Sequence, residues 1–246
     1  MKGVKYDPLL ITNTLLSQRS SESKQSTQLF IIHQNPQSRT TMASPPIDAP
    51  SHYPASQTAL LLLDFHSMFV ENLADGKGQN ALSIAASTKV WAKSKNIEII
   101  HCLIDADQTP YPTCKNVQRF ASIISSFKSG GKEEPAALRE DAGDEKTFLR
   151  RGGYVSALKS PGLAAYLREK GIVSLVLAGL STSGCVLRTA AAACDDEFVV
   201  TVLEDGCADN DQDVHDALIR KVLPGRGYVY TAEAFREGWE NGTLGL

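Results

Sequence analysis

From residue 58 onward, short apolar runs alternate with longer segments whose apolar positions recur at helical spacing. Runs at 59–64 (ALLLLD), 97–104, 147–151, 173–178, 198–203 and 227–230 read as six strands, the third having the weakest pattern. Between them, the 3.6-residue periodicity predicts helices over 79–94, 113–127, 160–170, 184–194 and 211–222. Strand–helix alternation builds parallel sheets. The runs LLLL and SLVLAG have no polar face, so both sides of their strands must be covered. The expected fold class is therefore α/β: a three-layer α/β/α sandwich around a mainly parallel, Rossmann-like six-stranded sheet. In such sheets ligands sit beyond the carboxyl ends of the strands, so functional residues should follow strands.

Two stretches break the rhythm. Residues 1–57 are rich in Ser, Thr, Gln, Asn and Pro and read as a disordered extension to a single domain at 58–246. Met42 is a candidate initiator, since all the periodic sequence follows it, and a Ser-rich, acid-poor targeting segment is the competing reading of residues 1–41. The second stretch, 127–146, contains SGGKEEP and EDAGDEK, a charged and turn-prone surface excursion expected to cover the site as a lid.

Composition narrows the function. A net charge of −3 without a basic cluster gives no footprint for nucleic acid, and no apolar run reaches the roughly 18 residues that span a bilayer. A small-molecule partner is expected. The five cysteines, Cys102, Cys114, Cys185, Cys194 and Cys207, lack CxxC spacing and suit a reducing, cytoplasmic setting.

Two residues at strand ends carry candidate chemistry. Asp64 closes the first strand after four leucines, where a carboxylate is costly unless it is hydrogen-bonded or used; a helix cap or turn role is the alternative. Cys185 lies in AGLSTSGCVLRTA, where small residues turn the chain from the fourth strand into a helix. A nucleophilic thiol needs a helix N-terminus or a cation to favour its anion, and the same backbone N–H groups can hold a developing oxyanion.

DFHSMF, the segment from Gly179 to Ala190 and VLEDGCAD together resemble the isochorismatase-like hydrolases, with a likeness running from about Thr58 to Trp239. The resemblance implies a catalytic Asp, Lys and Cys. It places Asp64 and Phe69 in the family pattern, with His66 standing where a glutamine is usual. It also implies a cis peptide between Leu180 and Ser181 that aims oxyanion donors together with Cys185. The lysine is missing: RRGGYVSAL offers Arg150 and Arg151, of which Tyr spacing favours Arg151, with Lys146 a more distant candidate. An arginine keeps the positive charge but does not readily release a proton.

The zinc-binding relatives carry an Asp-x-His pair after the second strand, where this chain reads IDADQTPYPT, so neither metal nor other cofactor is expected. His66 is expected either to line the substrate pocket or to bond backbone. Arg188, a helical turn past Cys185, is a candidate contact for an anionic substrate. Asp105, Asp107, Asp205 and Asp209 read first as turn residues, and His215 as exposed. The implied activity is hydrolysis of a C–N bond in a small amide or ureide through an acyl-thioester, and the implied assembly is a homo-oligomer. The rival reading is an altered member that binds or regulates without turnover.

Overall fold

The computed structural model describes residues 44–246, so the Met42 and targeting readings lie outside the described residues. Strands β1 (Thr58–Leu63), β2 (Glu98–Ile104), β3 (Lys146–Arg150), β4 (Ser174–Leu180), β5 (Val199–Ala208) and β6 (Tyr228–Tyr230) form one sheet. Their order is β3-β2-β1-β4-β5-β6 and every pairing is parallel. Each strand begins within one residue of its expected start. The chain lays down β1, builds outward through β2 to β3, then returns to β1's other side for β4. The crevice at the carboxyl ends of β1 and β4 is thus the switch point where such sheets bind ligands.

The helices are α1 (Ser67–Asn72), α2 (Lys77–Ser94), α3 (Val117–Phe127), α4 (Ala136–Arg139), α5 (Leu163–Glu169), α6 (Leu187–Asp195), α7 (Gln212–Ala217) and α8 (Ala232–Asn241). All residues of β1 and β4 are buried, and alternate side chains enter different cores. Leu61, Leu63, Leu175 and Leu177 pack with Leu163 and Leu167 of α5 and Ala190 and Ala193 of α6. Leu60, Leu62 and Val176 pack with Ala81, Leu82 and Ala85 of α2, Leu138 of α4 and Phe235 of α8. Each fully buried leucine contributes about 1.5–3 kcal/mol. The three-layer sandwich follows from this double-sided burial. Where β1 meets β4, Gly179 is required: a Cβ there would lie 2.4 Å from Leu63 Cβ.

Several expectations need correction. Residues 44–57 are not a disordered extension. Ala49 is fully buried, Ser51 Oγ donates to Leu244 O at 2.6 Å, and Val173 N–H donates to Gln57 O at 2.9 Å. The segment's small residues fit against the start of β4 and the chain's C-terminal turn. The 127–146 excursion is not a lid. Ser67 N–H donates to Glu133 O at 2.8 Å and Met68 N–H to Gly131 O at 3.1 Å, while Leu138 is fully buried. Its charges are absorbed by an ion network under β2, which holds it against the α2 side of the sheet. The helix expected over 184–194 opens instead with a π-helical turn at Thr182–Val186, and the one over 211–222 ends in another at Leu218–Val222. Helix α8 was not expected, although Thr231 caps it by accepting from Ala234 N–H at 3.1 Å. Among the described residues no helix is long and apolar enough to cross a membrane.

Candidate active site

A cavity of about 470 Å³ opens at the switch point, with Asp64, Arg150 and Cys185 among its lining residues. Asp64 follows β1 directly. Its backbone takes the left-handed conformation at φ 55°, and its N–H donates to Cys102 O at 2.8 Å. A non-glycine residue held there costs of order 1 kcal/mol, and the turn swings the carboxylate off the strand end. The side chain is almost wholly buried and would be unfavourable without partners.

Its partner is Arg150, the last residue of β3 and 2% exposed. Nη1 donates to Asp64 Oδ1 at 2.7 Å, Nη2 donates to Oδ2, and Nε donates to Tyr154 O at 3.0 Å. The fork thus meets the carboxylate edge-on, the geometry that a guanidinium has and an ammonium lacks. Burial alone would lower the guanidinium's proton affinity. The negative Asp64 more than reverses this and holds the cation above its ordinary value.

Successive strand side chains point to opposite faces, so only one of the two adjacent arginines can reach Asp64. Arg151 turns away: its Nε donates to Thr109 O at 2.6 Å and its Nη2 to Pro110 O at 3.3 Å, bracing the loop after β2. The preference for Arg151 from tyrosine spacing is therefore corrected to Arg150 for the place beside Asp64. Lys146 opens β3 and is exposed, away from the cavity.

Cys185 sits in the π-helical turn that leads into α6 and is 2% exposed. Burial pushes its thiol up to about 12; the Arg150 charge works against this, while the charge of Asp64 pushes further upward. The expectation that a helix start and a cation would favour the thiolate is thus corrected. Loss of hydration outweighs the charge of Arg150, which is engaged by Asp64. The resting group is a thiol with the charged Asp64 as a neighbour. Thr189 Oγ1 accepts from Ala157 N–H at 2.9 Å and lies 3.7 Å from the sulfur, which leaves its own hydroxyl proton free to turn toward Cys185.

The turn carrying Cys185 is pinned on two sides. Ser183 N–H donates to Asp209 Oδ2 at 2.7 Å, and Thr182 Oγ1 lies 2.8 Å from His215 Nδ1. Asp209 is a turn residue that also lines the cavity, whereas Asp205 Oδ1 accepts from Ala232 N–H at the start of α8. His215 is half-buried, not exposed, because Thr182 anchors it. The Leu180–Ser181 peptide is cis, and both residues line the cavity.

His66 does not line the cavity. Its Nε2 accepts from Ile104 N–H at 3.0 Å, which requires the proton on Nδ1, and Nδ1 donates to Lys132 O at 2.5 Å. Burial lowers this imidazole against the opposing pull of Asp64, and the ring ties the end of β2 to the 128–134 segment as a neutral strut. Of its two expected roles, bonding to backbone is the one observed. Phe69 does face the cavity, as does Arg188. Asp105 caps its own turn, with Oδ1 accepting from Asp107 N–H at 2.8 Å. The sequence reading missed the wall formed by Asn116, Arg119, Phe120 and Ile123. These positions share one face of α3, and their helical spacing was the available signal.

The Isochorismatase domain model matches residues 58–234. A curated relative, the maleamate amidohydrolase of Pseudomonas putida KT2440, is 34% identical over 80 residues, 32% of this chain and 38% of its own length. The match thus spans well under half of that relative. Among solved structures, a cysteine hydrolase from Pseudomonas syringae pv. phaseolicola aligns with a TM-score of 0.68 at 16% identity, covering 82% of this chain and 99% of its own. The N-carbamoylsarcosine amidase of Thermoplasma acidophilum aligns with a TM-score of 0.55 at 22% identity, covering 72% and 97%. At those identities the likeness concerns the fold.

Proposed function

The chain belongs to the isochorismatase family of hydrolases, and we propose that within it this protein cleaves a C–N bond of a small amide or ureide through a thioester on Cys185. The observation that carries the reading is the Asp64 carboxylate, held by the Arg150 fork and lining one cavity together with the Cys185 thiol. The amidohydrolase and amidase names of two similar proteins agree with it.

Asp64 takes the thiol proton as the sulfur attacks the carbonyl carbon, so the thiolate need exist only while the new bond forms. The carbonyl oxygen gathers negative charge, which the N–H groups of Ser181 and Cys185 are proposed to receive. Asp64 returns the proton to the departing nitrogen, the C–N bond breaks, and an acyl-thioester remains. Water, deprotonated by Asp64, attacks the thioester; the acid leaves and the thiol is restored. Arg150 cannot readily give up a proton, so it positions the carboxylate and balances its charge while Asp64 alone shuttles the proton.

A panel of primary amides and ureides, monitored for ammonia release with the full chain, tests the reaction. Cys185→Ala is expected to abolish turnover while leaving the thermal midpoint close to that of the parent. Undiminished turnover by this variant overturns the assignment, as does quenched protein that carries no acyl adduct in mass spectrometry under conditions of steady turnover.

A further inference from the structure

Most described arginines are engaged by the protein: Arg139, Arg150, Arg151, Arg220, Arg226 and Arg236 each donate to a backbone or side-chain oxygen. Among the described residues Arg119, Arg168 and Arg188 do not, and of these three Arg119 and Arg188 line the cavity that holds Cys185. They come from different elements, Arg119 from α3 and Arg188 from α6, and both reach solvent while Asp64 and Cys185 are buried below them. The other charged lining groups are already occupied. Arg150 and Asp64 neutralise each other, and Asp209 accepts from Ser183 N–H and Asp211 N–H. The mouth of the cavity therefore holds two uncommitted guanidinium forks, while its other charged groups are already hydrogen-bonded.

Helical residues three apart are neighbours, with Cβ atoms about 5–6 Å apart, so Arg188 stands close to the nucleophile and its long side chain reaches up the wall. A guanidinium fork matches a carboxylate in two parallel hydrogen bonds. We infer that Arg119 and Arg188 bind a carboxylate on the substrate, and that the enzyme's substrates are anionic: short monoamides of dicarboxylic acids or N-carbamoyl amino acids, with the acid group at the mouth and the scissile carbonyl at Cys185. The identity of the scissile bond rests on the proposed amide hydrolysis; the anion site does not.

The experiment separates the two. Succinamate, glutaramate and N-carbamoylglycine are titrated calorimetrically into the full-chain Cys185→Ala protein, beside the neutral diamides succinamide and glutaramide. At least one anion is expected to bind at least about tenfold more tightly than the diamides, as charge-assisted bonds predict. Added sodium chloride is expected to weaken that binding. Arg119→Gln and Arg188→Gln, placed in the same background, are each expected to weaken it by about tenfold, a modest figure because both side chains reach water. Both side chains are exposed, so these variants are expected to fold as the parent does, and circular dichroism checks it. Diamides that bind as tightly as the anions, arginine variants within about twofold of the parent, or no anion binding at millimolar concentrations overturn the inference. Arginine-dependent anion binding with no ammonia release from any amide by the intact enzyme refutes the hydrolysis reading and leaves the anion site standing. Preferential turnover of the diamides does the reverse.

Discussion

One cluster of buried charge lies at the carboxyl ends of β1 and β3 and another between β2 and α2, and they differ in what adjoins them. At the cavity, Asp64 and Arg150 form a forked ion pair, yet the carboxylate still has a proton-bearing neighbour in Cys185. Between β2 and α2, Lys89 Nζ lies 3.0 Å from Glu145 Oε2 and donates to Leu138 O at 2.6 Å. Glu145 Oε2 is also 2.9 Å from His101 Nε2, and His101 Nδ1 is 2.7 Å from Glu134 Oε2. In this network Lys89, Lys93 and His101 face the carboxylates of Glu134 and Glu145, and none of these groups lines the cavity that holds Cys185. Buried charge of the first kind is poised for proton transfer; that of the second kind fastens the 134–145 segment to the sheet.

The contrast breaks most sharply at Asp64. Asp64→Asn removes the proton acceptor and is expected to lower kcat/KM by roughly 10²–10⁴-fold. It also leaves Arg150 unpaired, at a stability loss of about 3–5 kcal/mol, measured by urea denaturation. Glu145→Gln is expected to cost roughly 3 kcal/mol of stability for the same reason. Its activity per folded molecule at 25 °C should stay near the parent's, because the network does not touch the cavity. A large fall in kcat for Glu145→Gln would erase the distinction between the clusters.

Arg150→Lys sharpens the site's side of the comparison. A lysine keeps the charge and loses the fork, so about 1–3 kcal/mol of stability should go while turnover persists within roughly tenfold. Complete loss would mean that the fork itself positions Asp64 for the proton transfer.

The smallest effect concerns pH. Burial opposes the charged form of His101, but hydrogen bonds and charges from Glu134 and Glu145 outweigh it and raise the group above its ordinary 6.5. A raised histidine stabilises the fold fully below its unfolded value, and that contribution is lost as pH climbs through the folded value. Stability should therefore decline from mildly acidic toward alkaline pH, and His101→Gln should flatten the decline. No thiol limb is expected in kcat/KM across the neutral range, because Cys185 ionises only near 12. Iodoacetamide should label it slowly until denaturant exposes the thiol.

Period and burial made the sheet legible. Strands with apolar residues on both faces could be placed from the runs alone, and their carboxyl ends pointed to Asp64 and Cys185. What escaped depended on three-dimensional partners. Arg150 and Arg151 are neighbours with the same chemistry, and only the register of β3 against β2 decides which one faces inward. The charged 127–146 stretch looked solvated because Lys89 and His101, its partners, are distant in sequence. Desolvation of Cys185 is a property of packing around the elbow, so sequence context alone overstated its acidity. Arg119 needed the orientation of α3.

The cavity's floor comes from strand ends, whereas the α3 and α6 walls come from helix faces. Gly179 locks the floor, since any side chain there would strike Leu63. Selection or design can therefore exchange Asn116, Arg119, Phe120 and Arg188 and re-tailor ligand choice without disturbing proton transfer, a separation that makes this scaffold a convenient host for new specificities.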